Sequence, residues 1–179
     1  GDWDNIELYG ENNVISYVDY EFATDGFSGD GASGSAFDHS IINGLSLPAN
    51  GIYLPNSPNS TISNNIISAA GEFGIFADQN FESVFENNTI NGPVWGIKAT
   101  NCDDCSFIDN DINNAASESM VYGIYANSSP GISLDNNTIV ADQNGIYVNN
   151  SFNATITNNH VTGRFHDHGI NFASSDSSL

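Results

Sequence analysis

The chain has 179 residues, 39 % of them hydrophobic, with 11 Phe, 7 Tyr and 2 Trp; this is too much apolar material for a disordered tail and enough for one domain with its own core. Its 22 Asp and Glu oppose only Lys98 and Arg164, a formal net charge of −20, so the surface repels phosphate backbones and anionic headgroups and excludes nucleic-acid and membrane-surface partners. Abundant Asn and Ser and 17 Gly favour turns over long helices, and no apolar run reaches the roughly 18 residues that a membrane-spanning helix needs.

The sequence opens on Gly1-Asp2-Trp3-Asp4, without a basic segment, an apolar run or an initiator Met. It therefore reads as a processed product or a piece of something longer. A degenerate first copy of a repeat covers residues 1–25, through Ile6-Glu7-Leu8 to Tyr20. Gly26 opens the next copy, thirteen residues before His39 in Phe37-Asp38-His39-Ser40-Ile41-Ile42. From there the repeat is regular: Gly-Ile recurs at Gly51, Gly74, Gly96, Gly123, Gly145 and Gly169, with spacings of 23, 22, 27, 22 and 24 residues. Thirteen residues after each of the first five glycines comes Asn or Asp followed by Asn, at Asn64-Asn65, Asn87-Asn88, Asp109-Asn110, Asn136-Asn137 and Asn158-Asn159. Two residues further on is a β-branched apolar residue, from Ile67 to Val161.

Apolar residues alternate over three to five positions in every copy, which is strand periodicity, and no helical period is sustained. The residues one after the glycine (Ile52, Ile75, Ile97, Ile124, Ile146, Ile170), three after it (Leu54 to Phe172) and eleven after it (Ile62, Phe85, Phe107, Leu134, Ile156) are predicted to point inward. Three short strands per copy cannot bury their apolar faces alone, so each copy must wind into a coil and stack on the next. The prediction is a single all-β domain over 1–179, a parallel β-helix of seven to eight coils of about 22 residues. Regular coils cover 26–168, and a partial last coil with a Ser-rich tail covers 169–179. At about 4.8 Å per coil the rod is about 35 Å long.

The phrases Gly-Ile-Tyr-Leu, Gly-Ile-Tyr-Ala, Ser-Leu-Asp-Asn-Asn-Thr-Ile and Thr-Ile-Thr-Asn-Asn-His-Val resemble the right-handed parallel β-helix repeats of the pectate-lyase-like superfamily, in particular its secreted and cell-surface members with Asn-Asn-x-Ile coils. The likeness covers Gly26 to Phe172 well and Trp3 to Asp25 loosely. It implies the handedness, and a superfamily that holds lyases, hydrolases, epimerases, adhesins and structural fibres, so it leaves function open.

The second Asn of each pair is expected to form a structural ladder between coils, and the glycines to permit a turn conformation that side chains disfavour. Two positions after the glycine, Tyr53, Phe76, Lys98, Tyr125, Tyr147 and Asn171 should form an outward stripe. Its aromatic members Tyr53, Phe76, Tyr125 and Tyr147 are either cross-coil stacking partners or a platform for sugar rings or a partner surface. Cys102 and Cys105 bracket a turn without a redox or zinc context, so a local disulfide or two buried thiols is expected; an extracellular setting favours the bridge. No cofactor is expected apart from Ca²⁺, for which Asp103, Asp104, Asp109 and Asp111 are the candidate ligands. Among the sequons, Asn127 and Asn149 fall in the turns best exposed for glycosylation.

Thr24-Asp25-Gly26, Asp103-Asp104 and His168-Gly169 look like the signatures of polygalacturonase-like hydrolases. Hydrolytic carboxylates must converge within about 5 to 10 Å, yet these groups lie about three coils apart at each step, about 14 Å. The surviving catalytic candidates are Arg164, His166, Asp167 and His168, with Tyr147 one coil earlier, a set able to abstract a proton beside a uronate carboxylate. Neither end of the repeat carries a recognisable cap, so the sequence favours a non-catalytic extracellular or cell-surface module with a structural or adhesive role, stacking end to end on itself or on other domains of a longer chain. A polysaccharide lyase or epimerase and a carbohydrate-binding module are the alternatives.

Overall fold

The computed structural model describes residues 4–21, 25–43, 49–68, 71–113, 121–164 and 167–173. Three parallel sheets run the length of the rod, each coil giving one strand to each sheet. Sheet 1 contains β1 (Ile6–Glu7), β4 (Phe27–Ser28), β7 (Asn50–Pro55), β10 (Phe73–Asp78), β13 (Trp95–Thr100), β16 (Tyr122–Asn127), β19 (Asn144–Asn149) and β22 (His168–Ala173). Sheet 2 contains β2 (Val14–Ser16), β5 (Ala36–Asp38), β8 (Thr61–Ser63), β11 (Val84–Glu86), β14 (Ser106–Ile108), β17 (Ser133–Asp135) and β20 (Thr155–Thr157). Sheet 3 contains β3 (Asp19–Glu21), β6 (Ile41–Asn43), β9 (Ile66–Ser68), β12 (Thr89–Asn91), β15 (Asp111–Asn113), β18 (Thr138–Ala141) and β21 (His160–Gly163). The regular winding amounts to about six turns, slightly fewer than expected. Six-residue strands in sheet 1 begin only at β7, whereas β1 and β4 have two residues each.

The core consists of columns. Ile52, Ile75, Ile97, Ile124 and Ile146 pair in exact register across sheet 1 and are all fully buried. Ile62, Phe85, Phe107 and Leu134 do the same on sheet 2, with Phe85 and Phe107 stacked at 4.6 Å. Ile67, Ile90, Ile112 and Ile139 complete the triangle from sheet 3. Period-two alternation thus assigns one face of every strand to a common dry interior. Ile170 and Phe172 belong to the same columns but are 47 % and 50 % exposed, because no described coil follows β22.

The corner between sheets 2 and 3 explains why asparagine comes in pairs. The first member takes a left-handed backbone, with φ of 56° at Asn64, 54° at Asn87, 55° at Asp109 and 54° at Asn136, a conformation that Asn and Asp adopt most readily among side-chain-bearing residues. The second member points inward and forms the ladder: Asn65 donates from Nδ2 to Asn88 Oδ1 (3.0 Å), Asn88 to Asn110 (3.0 Å), Asn110 to Asn137 (3.0 Å) and Asn137 to Asn159 (2.9 Å).

The repeat glycines correct the expectation of a special turn angle. None of Gly51, Gly74, Gly96, Gly123 and Gly145 has a positive φ. What they need is space: a Cβ on Gly96 would lie 2.4 Å from the Gly123 carbonyl oxygen and 2.4 Å from Ile112 Cγ2, and each of the other four would meet the next repeat glycine's carbonyl and the β-branched residue at the corresponding sheet 3 position.

Of the two alternatives for Cys102 and Cys105, the structure has the buried free thiols and no bridge. Each substitutes for a small polar residue in its own inter-coil column. Cys102 Sγ contacts the carbonyls of Ala77 (3.6 Å) and Thr100 (3.4 Å), Cys105 Sγ that of Asn80, and Cys102 N–H donates to Ser129 Oγ (3.0 Å). A hydrogen bond shared with Cys105, reinforced by burial, holds the Cys102 thiol well above the usual thiol range. Because both thiols are fully buried, they are expected to resist alkylation at pH 8 in the folded protein and to be counted as two on denaturation. Fast native labelling, or no free thiol after denaturation, would contradict this arrangement.

Candidate functional site

Sheet 1 carries the chemistry on its outer face. Phe76 pairs in register with Tyr53 and Lys98, Lys98 with Tyr125, Tyr125 with Tyr147, and Tyr147 with Asn171. The predicted stripe exists, and its side chains are half-buried. Beside it runs a second row that the sequence reading missed, Asn50, Phe73, Trp95, Tyr122, Asn144 and His168. Its signal was present, since each of these residues immediately precedes a repeat glycine.

The two rows interlock. Tyr53 stacks on Phe76 at 5.0 Å and 13°, and Tyr125 on Tyr147 at 5.4 Å and 2°. Lys98 separates these pairs, its ammonium 4.9 Å from the Phe73 ring, 5.3 Å from Phe76 and 5.1 Å from Trp95. Such contacts are worth about 0.5 to 2 kcal/mol each. Parallel rings this close must overlap face to face with an offset. Inside the stripe they therefore cover one another's faces and present edges and hydroxyls to solvent. On β22 the stripe continues as Asn171, not as another ring, so the face of Tyr147 turned toward β22 has no aromatic cover.

That end of the face also gathers proton-transferring groups. Asn144 Nδ2 donates to Asp167 Oδ2 (3.2 Å), and Asn171 Nδ2 lies 3.3 Å from His168 Nδ1. Tyr122 and Tyr147 make an edge contact at 5.5 Å. Burial, then the neighbouring phenols and Asp167, push the Tyr122 hydroxyl above its ordinary value; burial and Tyr147 do the same for Tyr125. Both remain neutral donors at physiological pH. Of the catalytic candidates, Tyr147, Asp167 and His168 thus share one face, with Tyr122 and Asn144 as members the sequence did not single out. Arg164 is exposed just before this strand, and His166 lies outside the described residues.

The other candidates disperse. Among the described residues no group of three or more His, Cys, Asp or Glu could hold a metal ion. The proposed Ca²⁺ ligands Asp103, Asp104, Asp109 and Asp111 belong to two different corners of their coil, Asp103 and Asp104 before β14 and Asp109 and Asp111 after it, and Asp109 accepts instead from Asn136 Nδ2. The glycosylation candidates Asn127 and Asn149 are half-buried and bonded to each other, Asn149 Nδ2 to Asn127 Oδ1 at 2.7 Å. Asp25 is held by Asn50, through its backbone N–H (2.7 Å) and its amide (3.1 Å). His39 pairs with Asp38 at 2.6 Å and stacks on Tyr17.

Stacked equivalent corners, three parallel sheets and an outward aromatic stripe on one of them define a parallel β-helix. The chain belongs to the right-handed β-helix family, whose model matches residues 2–115 and 49–179. No curated protein sequence matches it significantly. Among solved structures it is similar to the periplasmic alginate epimerase AlgG, with a TM-score of 0.68 and 21 % identity over 78 % of this chain and 33 % of that one. It is also similar to the A-module of the Azotobacter vinelandii mannuronan C-5 epimerase AlgE6 (TM-score 0.69, 16 % identity, 86 % of this chain and 42 % of that one). A third is the enzymatically active domain of bacteriophage CBA120 tailspike protein 2 (TM-score 0.53, 13 % identity, 94 % and 39 %). The chain spans about a third to two-fifths of these structures, and identities this low establish a shared fold alone.

Proposed function

We propose that the chain is a secreted or surface-exposed β-helix that acts on polysaccharide through the outer face of sheet 1, with the end formed by β19 and β22 as the principal contact. The observation that carries this is the ring face of Tyr147 that lacks aromatic cover and is turned toward Asn171, beside Asn144, Asp167 and His168. A flat apolar surface edged by carboxylate, imidazole and amide groups suits a pyranose, with its apolar C–H face and polar rim. Epimerases and a tailspike among the structural neighbours support a glycan-directed reading. Glycan-array screening should give binding that falls at least tenfold in Tyr125→Ala/Tyr147→Ala, with the circular-dichroism spectrum unchanged. An array without hits, or undiminished binding by the folded double variant, would end this reading.

The same cluster favours catalysis as a second reading, because Tyr147, Asp167 and His168 can exchange protons at one sugar, with Arg164 nearby in sequence to neutralise a uronate. Incubation with uronate polymers, read for unsaturated ends and for C-5 inversion, would then yield product that Arg164→Ala abolishes. Binding without product leaves the chain a glycan-binding module.

A further inference from the structure

Between sheets 1 and 2 each coil makes a short turn, and four successive turns line a shallow, open groove of about 540 Å³. Backbone bonds hold these turns in register: Glu82 N–H to Asp103 O (3.0 Å), Asp104 N–H to Pro130 O (2.9 Å) and Gly131 N–H to Phe152 O (3.0 Å). Phe81, Asp103, Pro130 and Phe152 are therefore equivalent positions in four consecutive coils. At about 4.8 Å per coil the two phenylalanines stand about 14 Å apart along the rod. They are 42 % and 57 % exposed, whereas Phe85 and Phe107 are fully buried in the core. The shorter Asp103 and Pro130 leave a dip between the two rings, lined also by Asn101 and Ser128.

The lining has a definite chemistry. Asp103 contributes a carboxylate. Asn101 has its Nδ2 committed to Asp78 Oδ1 (3.0 Å), which leaves its amide oxygen as an acceptor. Ser128 supplies a hydroxyl. No Lys, Arg or His lines the groove. Gln79 and Asn150 add amides that both donate and accept. Two apolar rings bracketing a floor of carboxylate, hydroxyl and amide groups match a ligand with apolar faces and many hydroxyls, while the carboxylate and the net charge of −20 repel anionic sugars.

The geometry points to a second glycan site in this groove, separate from the outer face of sheet 1, for a neutral oligosaccharide of about three hexose units lying along the rod axis between Phe81 and Phe152. The assignment does not depend on the sheet 1 reading. It is tested by calorimetric titration with maltotriose, cellotriose and mannotriose, against trigalacturonate and trimannuronate. At least one neutral trisaccharide should bind, Phe81→Ala and Phe152→Ala should each weaken that binding at least tenfold with the fold intact, and neither substitution should alter any triuronate binding. Tyr147→Ala should leave the neutral trisaccharide's binding unchanged. The proposal is overturned if no neutral trisaccharide binds, if a triuronate binds equally well and loses affinity in the Phe variants, if both Phe variants retain full affinity, or if Tyr147→Ala alone removes the neutral trisaccharide's binding.

Discussion

Gly96→Val is expected to prevent the chain from folding, or to destabilise it by at least about 4 kcal/mol, the range reserved for severe core lesions. The first carbon of the new side chain falls 2.4 Å from the Gly123 carbonyl and 2.4 Å from Ile112 Cγ2. Neither neighbour can yield cheaply. Gly123 lies in β16, which is hydrogen-bonded to coils on both sides, and Ile112 is fully buried. Opening the gap means spreading coils whose spacing the backbone ladders fix on three sheets. Thr155→Val, at an exposed strand position, is the control and should change stability by less than about 0.5 kcal/mol. Soluble yield and denaturant melts check both; a Gly96→Val protein that melts like the parent would show that the coils do not pack as described.

The second large effect is expected at Asn110→Asp. Asn110 donates from Nδ2 to Phe85 O (2.9 Å) and Asn137 Oδ1 (3.0 Å), and its Oδ1 accepts from Asn88 N–H (3.1 Å) and Asn88 Nδ2 (3.0 Å). An ionised aspartate keeps the acceptor half but has no donor, so a buried charge would meet two carbonyl oxygens. Burial and these acceptors raise the folded-state pKa of the new carboxyl above its unfolded value of about 3.9. The protonated acid, which regains one donor, is therefore tolerated below about pH 4, and stability is lost as pH rises, by about 1.4 kcal/mol per unit until the folded pKa is reached. Urea melts of variant and parent should differ by about 4 kcal/mol or more at pH 7 and by clearly less at pH 4. Asn110→Ala should cost about 2 to 4 kcal/mol, with no such pH dependence. Equal deficits of the Asp variant at both pH values would remove Asn110 from the buried ladder.

Columns were readable in the sequence because they depend on spacing alone. The invariant interval of thirteen from Gly to the Asn pair fixed which residues superimpose, and Ile52, Ile75 and Ile97 superimpose as that interval requires. The role of the glycines was misread because it depends on what lies across the core, the Ile67, Ile90 and Ile112 side chains, which no local pattern reveals. Of the two alternatives for the cysteine pair, a bridge or two buried thiols, the sequence could not choose for a related reason. C-x-x-C suggests a staple when viewed along the chain, but each sulfur is occupied across coils by the carbonyls that serine hydroxyls engage elsewhere. On the outer face, the Tyr53 to Asn171 stripe was legible, whereas the use of its rings was not: ring orientation decides which faces are stacked, and the outer faces of the end rings, Tyr53 beside Ser28 and Tyr147 beside Asn171, have no aromatic cover. Phe81 and Phe152 were invisible as a pair, being 71 residues apart in sequence and brought three coils apart by the winding.

The most direct test of the central claim, that polysaccharide meets the outer face of sheet 1 at its β19–β22 end, is amide chemical-shift mapping while titrating hexamers of mannuronate, galacturonate and β-1,4-glucose. The account predicts that at least one hexamer shifts Tyr147, Val148, His168 and Asn171 together and leaves sheet 3 amides, such as Ile90 and Ile112, in place. Shifts confined to sheet 3, or none with any hexamer at saturating concentration, would contradict it.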